Sequence, residues 1–219
     1  VIVSVGGEVS DIRKIVSPVM KNDMKSRFYH IDFSFDELKL GGSAFAQSLN
    51  KVGSDVPTVQ NPEYFRDAFL AVQKLVEEGL IMAGHDISAG GLITCLLEMC
   101  FANTTGGIRV NLDKLVNKDM VTALFAENPG VVIQVSDEKA ARVKKILDDA
   151  GVGYVKIGVP SEERFIGVVK DKYNYVFDID QLRDVWYTTS YLLDRKQSFN
   201  GKAKERFENY KNQPLELVF

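Results

Sequence analysis

The residues from Gly84 to Gly91 have the types and the order that phosphate and metal chemistry needs. A short apolar run precedes them, and an apolar helix is predicted from Leu92 onward. Between the two lie the Asp86 carboxylate, the Ser88 hydroxyl and paired glycines that let a ligand approach the backbone. Amides at a helix N-terminus favour an anion, and Mg²⁺ prefers hard oxygen ligands such as a carboxylate. The segment therefore predicts a phosphate and metal site in outline, with Asp86 as a candidate Mg²⁺ ligand.

A simpler interpretation of the same segment stays open, in which Asp86 and Ser88 only cap the helix that begins near Gly90. His85 is most simply a core histidine with satisfied hydrogen bonds, because nothing in the sequence pairs it with a nucleophile. Glu98, in the middle of the apolar helix, is interpreted as a partly exposed helical glutamate without a role.

A second glycine loop, Leu40 to Ser43, also precedes a predicted helix. Ser43 is either an anion ligand or an N-cap, and capping is the more common role of a serine at such a position. The stretch from Glu127 to Gly130 is interpreted as a turn before a strand, and Lys202 to Lys211 as a solvated helical face.

The spacing of hydrophobic residues, and the glycine, proline and polar residues that bound each segment, predict strands and helices in mixed order. Pro62 suits the first position of a long amphipathic helix that Gly79 ends, and Asp11 is expected to cap a short helical turn. Strands are predicted at residues 1–5, 27–33, 80–83, 108–112, 130–135 and 153–159, with a hairpin of 165–170 and 173–179. Further helices are predicted at 44–49, 92–101, 119–125, 137–150 and from about 181.

This mixed order, without a fixed-period repeat, predicts the α/β class and a layered domain in which helices pack a mixed β-sheet. Residues 1–180 are predicted to form that domain. Residues 181–219, which are helical in pattern and charged, are predicted to be a tail or a linker.

Composition narrows the class of protein further. The 219 residues carry a formal net charge of −3 and no long apolar run, so neither nucleic acid nor a membrane is an expected partner. The sequence lacks the pattern of a signal peptide, so a cytoplasmic location is expected. Because the chain begins on Val1 inside an apolar run, it is interpreted as a fragment of a longer polypeptide. Cys95 and Cys100 lie on one predicted helix and are expected to be reduced core residues.

Several motifs together resemble the large, single-chain phosphoribosylformylglycinamidine synthases. The longest is GHDISAGGLITCLLEMCFA at residues 84–102, which is similar to the second copy of this motif in the family. One departure is Ala89, where the family's second motif usually has an acidic residue. Shorter matches are LGGSAFAQ at 40–47, IVS at 2–4, DIRK at 11–14, LFAE at 124–127, GVVIQV at 130–135 and the stretch 186–194, so the resemblance covers about residues 1–195.

The resemblance implies a C-terminal domain of the aminoimidazole ribonucleotide synthetase type, from the second half of such an enzyme. The full enzyme would be a ligase that uses ATP to activate the formyl amide of its substrate and ammonia from a glutaminase domain to form the amidine. In the second half a tightly held ATP or ADP with Mg²⁺ at an auxiliary position is implied, with Asp86 as Mg²⁺ ligand and Ser88 as nucleotide contact. The isolated fragment is expected to be inactive.

Two other functions remain open at this stage. One is a free-standing ATP-using relative such as a thiamine-phosphate kinase or a hydrogenase-maturation protein, against which the match at Leu124 to Val135 argues. The other is a non-catalytic scaffold domain that packs between a companion synthetase half and the glutaminase.

Overall fold

The computed structural model describes residues 4, 6–9, 11–115 and 119–212. In that part of the chain a 3₁₀ turn at Ile12–Lys14 is followed by strands and helices in mixed order. The strands are β1 (Ser26–Asp32), β2 (Ala83–Ile87), β3 (Gly107–Asn111), β4 (Gly130–Ser136), β5 (Tyr154–Ser161), β6 (Phe165–Lys170) and β7 (Tyr173–Asp178). The helices are α1 (Ala44–Ser48), α2 (Pro62–Glu77), α3 (Gly91–Phe101), α4 (Met120–Phe125), α5 (Ala140–Asp149), α6 (Ile179–Gln197) and α7 (Lys202–Glu208).

The strands form one mixed sheet of seven strands in the order β2-β4-β1-β5-β3-β6-β7. Neighbouring strands are antiparallel except for β3 and β6, which run parallel. β2 and β7 therefore lie at the two edges. The α/β class and the mixed sheet predicted from the sequence are confirmed.

Helices cover both faces of the sheet because successive strand residues point to opposite sides. On β1, Phe28 belongs to a core shared with α3 and α4, whereas Tyr29 belongs to a core shared with α2 and α5. On β4, Val132 belongs to the first of these cores and Ile133 to the second. The molecule is thus a helix–sheet–helix sandwich with two apolar cores.

Local signals account for the ends of α2. The Asn61 side chain accepts from the Glu63 and Tyr64 amides, Pro62 follows it, and Gly79 at φ +63° stands just beyond the other end. The buried face, however, runs through Ala68, Ala71 and Leu75. Two aromatic residues of α2, Phe65 and Phe69, are exposed.

Two predicted elements are displaced along the chain. The strand expected at residues 80–83 lies at Ala83–Ile87, because Gly84 to Ile87 pair with Ile133 to Gly130 of β4. The helix expected from residue 137 begins at Ala140. The strand predicted at residues 1–5 lies outside the described residues, apart from Ser4.

The C-terminal helices pack on the sheet layer rather than standing apart from it. α6 contacts α3 and β7, and α7 contacts α6. Ile179 is fully buried in the core beneath α3, and Arg183 is buried beneath α7. The predicted boundary between residues 180 and 181 falls inside α6, and the assignment of residues 181–219 as a tail or linker remains a prediction.

Both cysteines are buried and unpaired in thiol form, as expected. Burial raises the pKa of the Cys100 thiol to about 12. Within the described ranges, none of the helices combines the length and apolar composition that crossing a bilayer requires.

Candidate functional site

The candidate site lies where β2 ends and the chain turns into α3. His85 and Asp86 belong to the edge strand itself, and the loop is only Ser88, Ala89 and Gly90. The Asp86 side chain is 70% exposed, and Ser88 is exposed at the loop. The structure therefore places both predicted site residues on one accessible edge of the sheet.

The backbone of this loop is fixed by its glycines. Gly90 has φ +91° and Gly91 has φ +72°, a region that residues with a side chain rarely adopt. A Cβ on Gly91 would lie 2.7 Å from the carbonyl oxygen of Leu124 and from Cα of Phe125. The loop is thus pressed directly against the end of α4, with no space for a larger residue.

Gly90 is the N-cap of α3, and its position has no side-chain capping bond. The simpler interpretation, in which Asp86 and Ser88 cap this helix, is therefore wrong. The amide of Gly91 donates to the Ser88 carbonyl at 3.0 Å, and the Thr94 hydroxyl donates to the Gly90 carbonyl at 3.1 Å. Both Asp86 and Ser88 are left facing outward.

An internal carboxylate holds the Gly90 amide. Oε1 of Glu127 accepts from Gly90 at 2.7 Å and from the Ala44 amide at the start of α1 at 2.8 Å. The sequence predicts that amides of the glycine loop face a phosphate, and it indicates only a turn at Glu127. The structure shows instead that this amide already has an anionic partner within the chain.

The second glycine loop is a capping structure. The Ser43 hydroxyl accepts from the Ala46 amide at 3.1 Å and donates to the Leu40 carbonyl at 2.7 Å. The Gly41 and Gly42 amides donate to the Asp55 and Val52 carbonyls. Of the two interpretations of Ser43, capping is confirmed.

A series of polar contacts leads from Asp86 through His85 and Glu98 to Trp186. His85 Nδ1 lies 2.8 Å from the Asp86 carbonyl oxygen, and its Nε2 lies 3.3 Å from Oε2 of Glu98. The indole of Trp186 donates to Oε1 of Glu98 at 2.9 Å. His85 is thus a satisfied, mostly buried histidine, as expected. Glu98, interpreted from the sequence as a helical glutamate without a role, joins α3 to α6.

Cys95 lies beside these polar contacts, with its Sγ 3.9 Å from the His85 carbonyl oxygen. Burial raises the pKa of the Cys95 thiol, and the nearby Asp86 and Glu98 carboxylates add to that effect. A protonated thiol in this place is a packing group rather than a nucleophile.

Two clefts meet at His85. A groove of about 320 Å³ between α2 and the segment at Val16 and Pro18 reaches His85 and Asp86, and its lining is mainly apolar. A second cleft of about 480 Å³ lies between His85, Glu98 and the aromatic rings of Trp186 and Tyr187. Asp86 therefore stands at the polar end of an apolar groove.

The donor set around Asp86 fits part of a Mg²⁺ site. Among the residues the structure describes, no three His, Cys, Asp or Glu side chains are grouped so that they could hold a metal ion by themselves. Mg²⁺ is commonly held by one or two carboxylates together with phosphate oxygens and water. One exposed carboxylate beside an exposed serine matches that pattern when the nucleotide supplies the remaining oxygens.

The class of protein is shown by a family model that matches more than half of the chain. The family model described as "AIR synthase related protein, C-terminal domain" matches residues 34–170. The chain belongs to this family.

Curated proteins of similar sequence include phosphoribosylformylglycinamidine synthases. The chain is 34% identical over 194 residues to the one from Homo sapiens, covering 86% of this chain and 14% of the relative. It is 35% identical over 190 residues to the probable chloroplastic/mitochondrial one from Arabidopsis thaliana, covering 85% of this chain and 13% of that relative. The chain thus spans about a seventh of the length of the human relative.

Solved structures give the same fold. Phosphoribosylformylglycinamidine synthase II from Thermotoga maritima superposes with a TM-score of 0.61 at 18% identity, over 78% of this chain and 28% of that one. PurL from T. maritima complexed with FGAR gives a TM-score of 0.61 at 20% identity, over 78% and 30%.

Proposed function

We propose that this chain is part of a phosphoribosylformylglycinamidine synthase, the ligase that amidates formylglycinamide ribonucleotide with ATP and glutamine in purine biosynthesis. The observation that supports this most directly is its 34–35% identity to curated relatives of that name over 85–86% of the chain. A free-standing ATP-using relative is not favoured by these matches.

We assign the edge of β2 to an auxiliary nucleotide site, with Asp86 as the Mg²⁺ ligand and Ser88 as a contact to ATP or ADP. Two properties support the assignment: Asp86 is 70% exposed, and neither residue is consumed in capping α3. T. maritima PurL structures with ATP and with ADP have the same fold as this chain.

In this role the residues of the chain bind and orient rather than react. Mg²⁺, when bound, neutralises phosphate charge. Asp86 would supply one hard anionic ligand, and the Ser88 hydroxyl would donate to a phosphate oxygen. His85 holds the backbone of Asp86 through its 2.8 Å contact to the carbonyl oxygen, which keeps the carboxylate on the open edge.

The remaining parts of the enzyme would come from the rest of the same polypeptide, because the chain covers only 13–15% of its curated relatives. We propose a companion synthetase half, which completes the nucleotide sites, and a glutaminase domain reached through residues 181–219. A cytoplasmic location, without nucleic acid or membrane as partner, remains part of this proposal.

The test is amidine formation by the full-length product of the reading frame that contains this chain. With ATP, Mg²⁺, glutamine and formylglycinamide ribonucleotide it should form amidine and ADP. The 219-residue chain alone, given ammonia in place of glutamine, should form none. A full-length product without amidine formation, or activity of the chain alone, would contradict the proposal.

A further inference from the structure

We propose that Glu127 is the positioning residue of the candidate nucleotide site. Its carboxylate fixes the loop from Ser88 to Gly90 and thereby sets where Ser88 faces a bound phosphate. The inference rests on the proposed nucleotide site, and it assigns a part of that site to a residue 37 positions away from the loop.

The geometry is that of a strong, two-donor contact. Oε1 of Glu127 lies 2.7 Å from the Gly90 amide nitrogen and 2.8 Å from the Ala44 amide nitrogen. Hydrogen bonds between backbone amides and neutral oxygens cluster at about 2.9–3.0 Å, and a charged acceptor shortens them. One carboxylate oxygen therefore ties the N-terminus of α3 to the N-terminus of α1.

The backbone that carries Glu127 is itself held on both sides. The neighbouring Asn128 side chain is buried, accepts from the Lys39 amide at 3.1 Å and donates to the Glu37 carbonyl at 3.0 Å. The Phe33 amide donates to the Pro129 carbonyl at 3.0 Å. The backbone at Glu127 is thus held in place by hydrogen bonds of its neighbours, as accurate positioning of a loop requires.

Glu127 is not suited to contact the nucleotide phosphate itself, because like charges repel at short range. Its effect on a phosphate is through the loop. The Ser88 carbonyl is bonded to the Gly91 amide, so the tip between Ile87 and Gly91 moves as a unit with Gly90. Loss of the Gly90–Glu127 bond would release that tip while Asp86 stays on β2.

The test is titration of Mg²⁺ and ADP by calorimetry into full-length enzyme from which the bound nucleotide has first been removed, for the wild type and for Glu127→Ala, Glu127→Asp and Glu127→Gln. Glu127→Ala should raise the Kd about tenfold or more, because the loop is no longer ordered before binding. Glu127→Asp keeps the charge but is one methylene shorter, and it should also weaken binding. Glu127→Gln keeps a carbonyl acceptor and should stay within about threefold of the wild type.

Two controls separate positioning from general stability. Phe45→Leu weakens the stack of Phe45 on Phe125, whose ring centroids are 4.6 Å apart, so it loosens α1 without removing the carboxylate. It should lower the Tm and leave the Kd unchanged. Formate should restore ADP binding to Glu127→Ala, because it can occupy the vacated pair of amides, whereas chloride at equal ionic strength should not.

An unchanged Kd in both Glu127→Ala and Glu127→Asp would overturn the inference and leave the nucleotide site intact. If Glu127→Ala does not fold, the Glu127→Asp titration decides alone. A nucleotide-free wild-type enzyme that binds no Mg²⁺ and ADP would instead overturn the proposed nucleotide site, and the inference with it.

Discussion

Oε2 of Glu98 lies 3.3 Å from Nε2 of His85, the residue directly before the proposed metal ligand. The other oxygen of the same carboxylate accepts from the indole of Trp186 on α6. The end of β2 is therefore connected through one glutamate to the helix that follows the sheet.

Replacing Trp186 with Phe should lower the free energy of unfolding of the chain by about 1 kcal/mol. The indole N–H donates to the Glu98 carboxylate, and its loss leaves Oε1 of Glu98 without that hydrogen bond. Because the indole ring is half exposed, water can replace the bond in part, so the loss of stability is small for a bond to a charged group. Urea denaturation followed by circular dichroism measures it, with Tyr187→Phe as the control. Equal stability of Trp186→Phe and wild type would show that the contact contributes nothing.

His30 should make the chain less stable in acid. Burial lowers the pKa of His30 to about 4, and the charge of Asp32 only partly opposes this. In the unfolded chain the pKa is about 6.5, so below that value the unfolded state binds the proton more readily. Stability is therefore complete above about pH 6.5 and is lost progressively down to about pH 4, by about 3 kcal/mol.

Replacing His30 with Gln removes this titrating group, and it should flatten the dependence of the unfolding free energy on pH over that range. Carboxylates titrate in both proteins, so the difference between the two curves reports on His30. Parallel curves between pH 6.5 and 4 would contradict the assignment of a buried, neutral His30.

A methyl group at Gly91 should be far more costly than one at Gly151, although both glycines have positive φ. A Cβ at Gly151 meets nothing within 4 Å, so Gly151→Ala costs only the left-handed conformation, about 1–2 kcal/mol. A Cβ at Gly91 meets backbone atoms at 2.7 Å, and overpacking adds about 1–3 kcal/mol. Thermal unfolding of both variants checks this, and equal Tm values would show that the loop is not pressed against α4.

The sequence predicted the fold well where the signals are local. Asn61 and Pro62 begin α2, Ser43 caps α1, and the hairpin of β6 and β7 turns at Asp171, between the two runs predicted for it. Each of these depends on residues within a few positions of one another, which a single sequence displays directly.

The site was predicted less completely because its main contacts are distant in sequence. Gly84 to Asp86 have low strand propensity, and only pairing with β4 makes them a strand. Glu127 has the neighbours of a turn, and nothing nearby shows that its carboxylate reaches amides 37 and 83 residues away. The sequence shows no role for Glu98 because its partner Trp186 lies 88 residues further along the chain.

Binding of Mg²⁺ by Asp86 at the proposed nucleotide site is checked by the nucleotide content and the Tm of purified full-length enzyme. Asp86→Ala should lose bound nucleotide and fall in Tm, since a ligand at about a hundredfold excess over its Kd stabilises by about 2.7 kcal/mol. Ser88→Ala should have a smaller effect on both quantities. It removes one neutral hydrogen bond to the nucleotide, which contributes about 1 kcal/mol to binding. Asp149→Ala, which removes a carboxylate of similar exposure on α5, should change neither quantity. A full complement of nucleotide and an unchanged Tm in Asp86→Ala would contradict this role of Asp86.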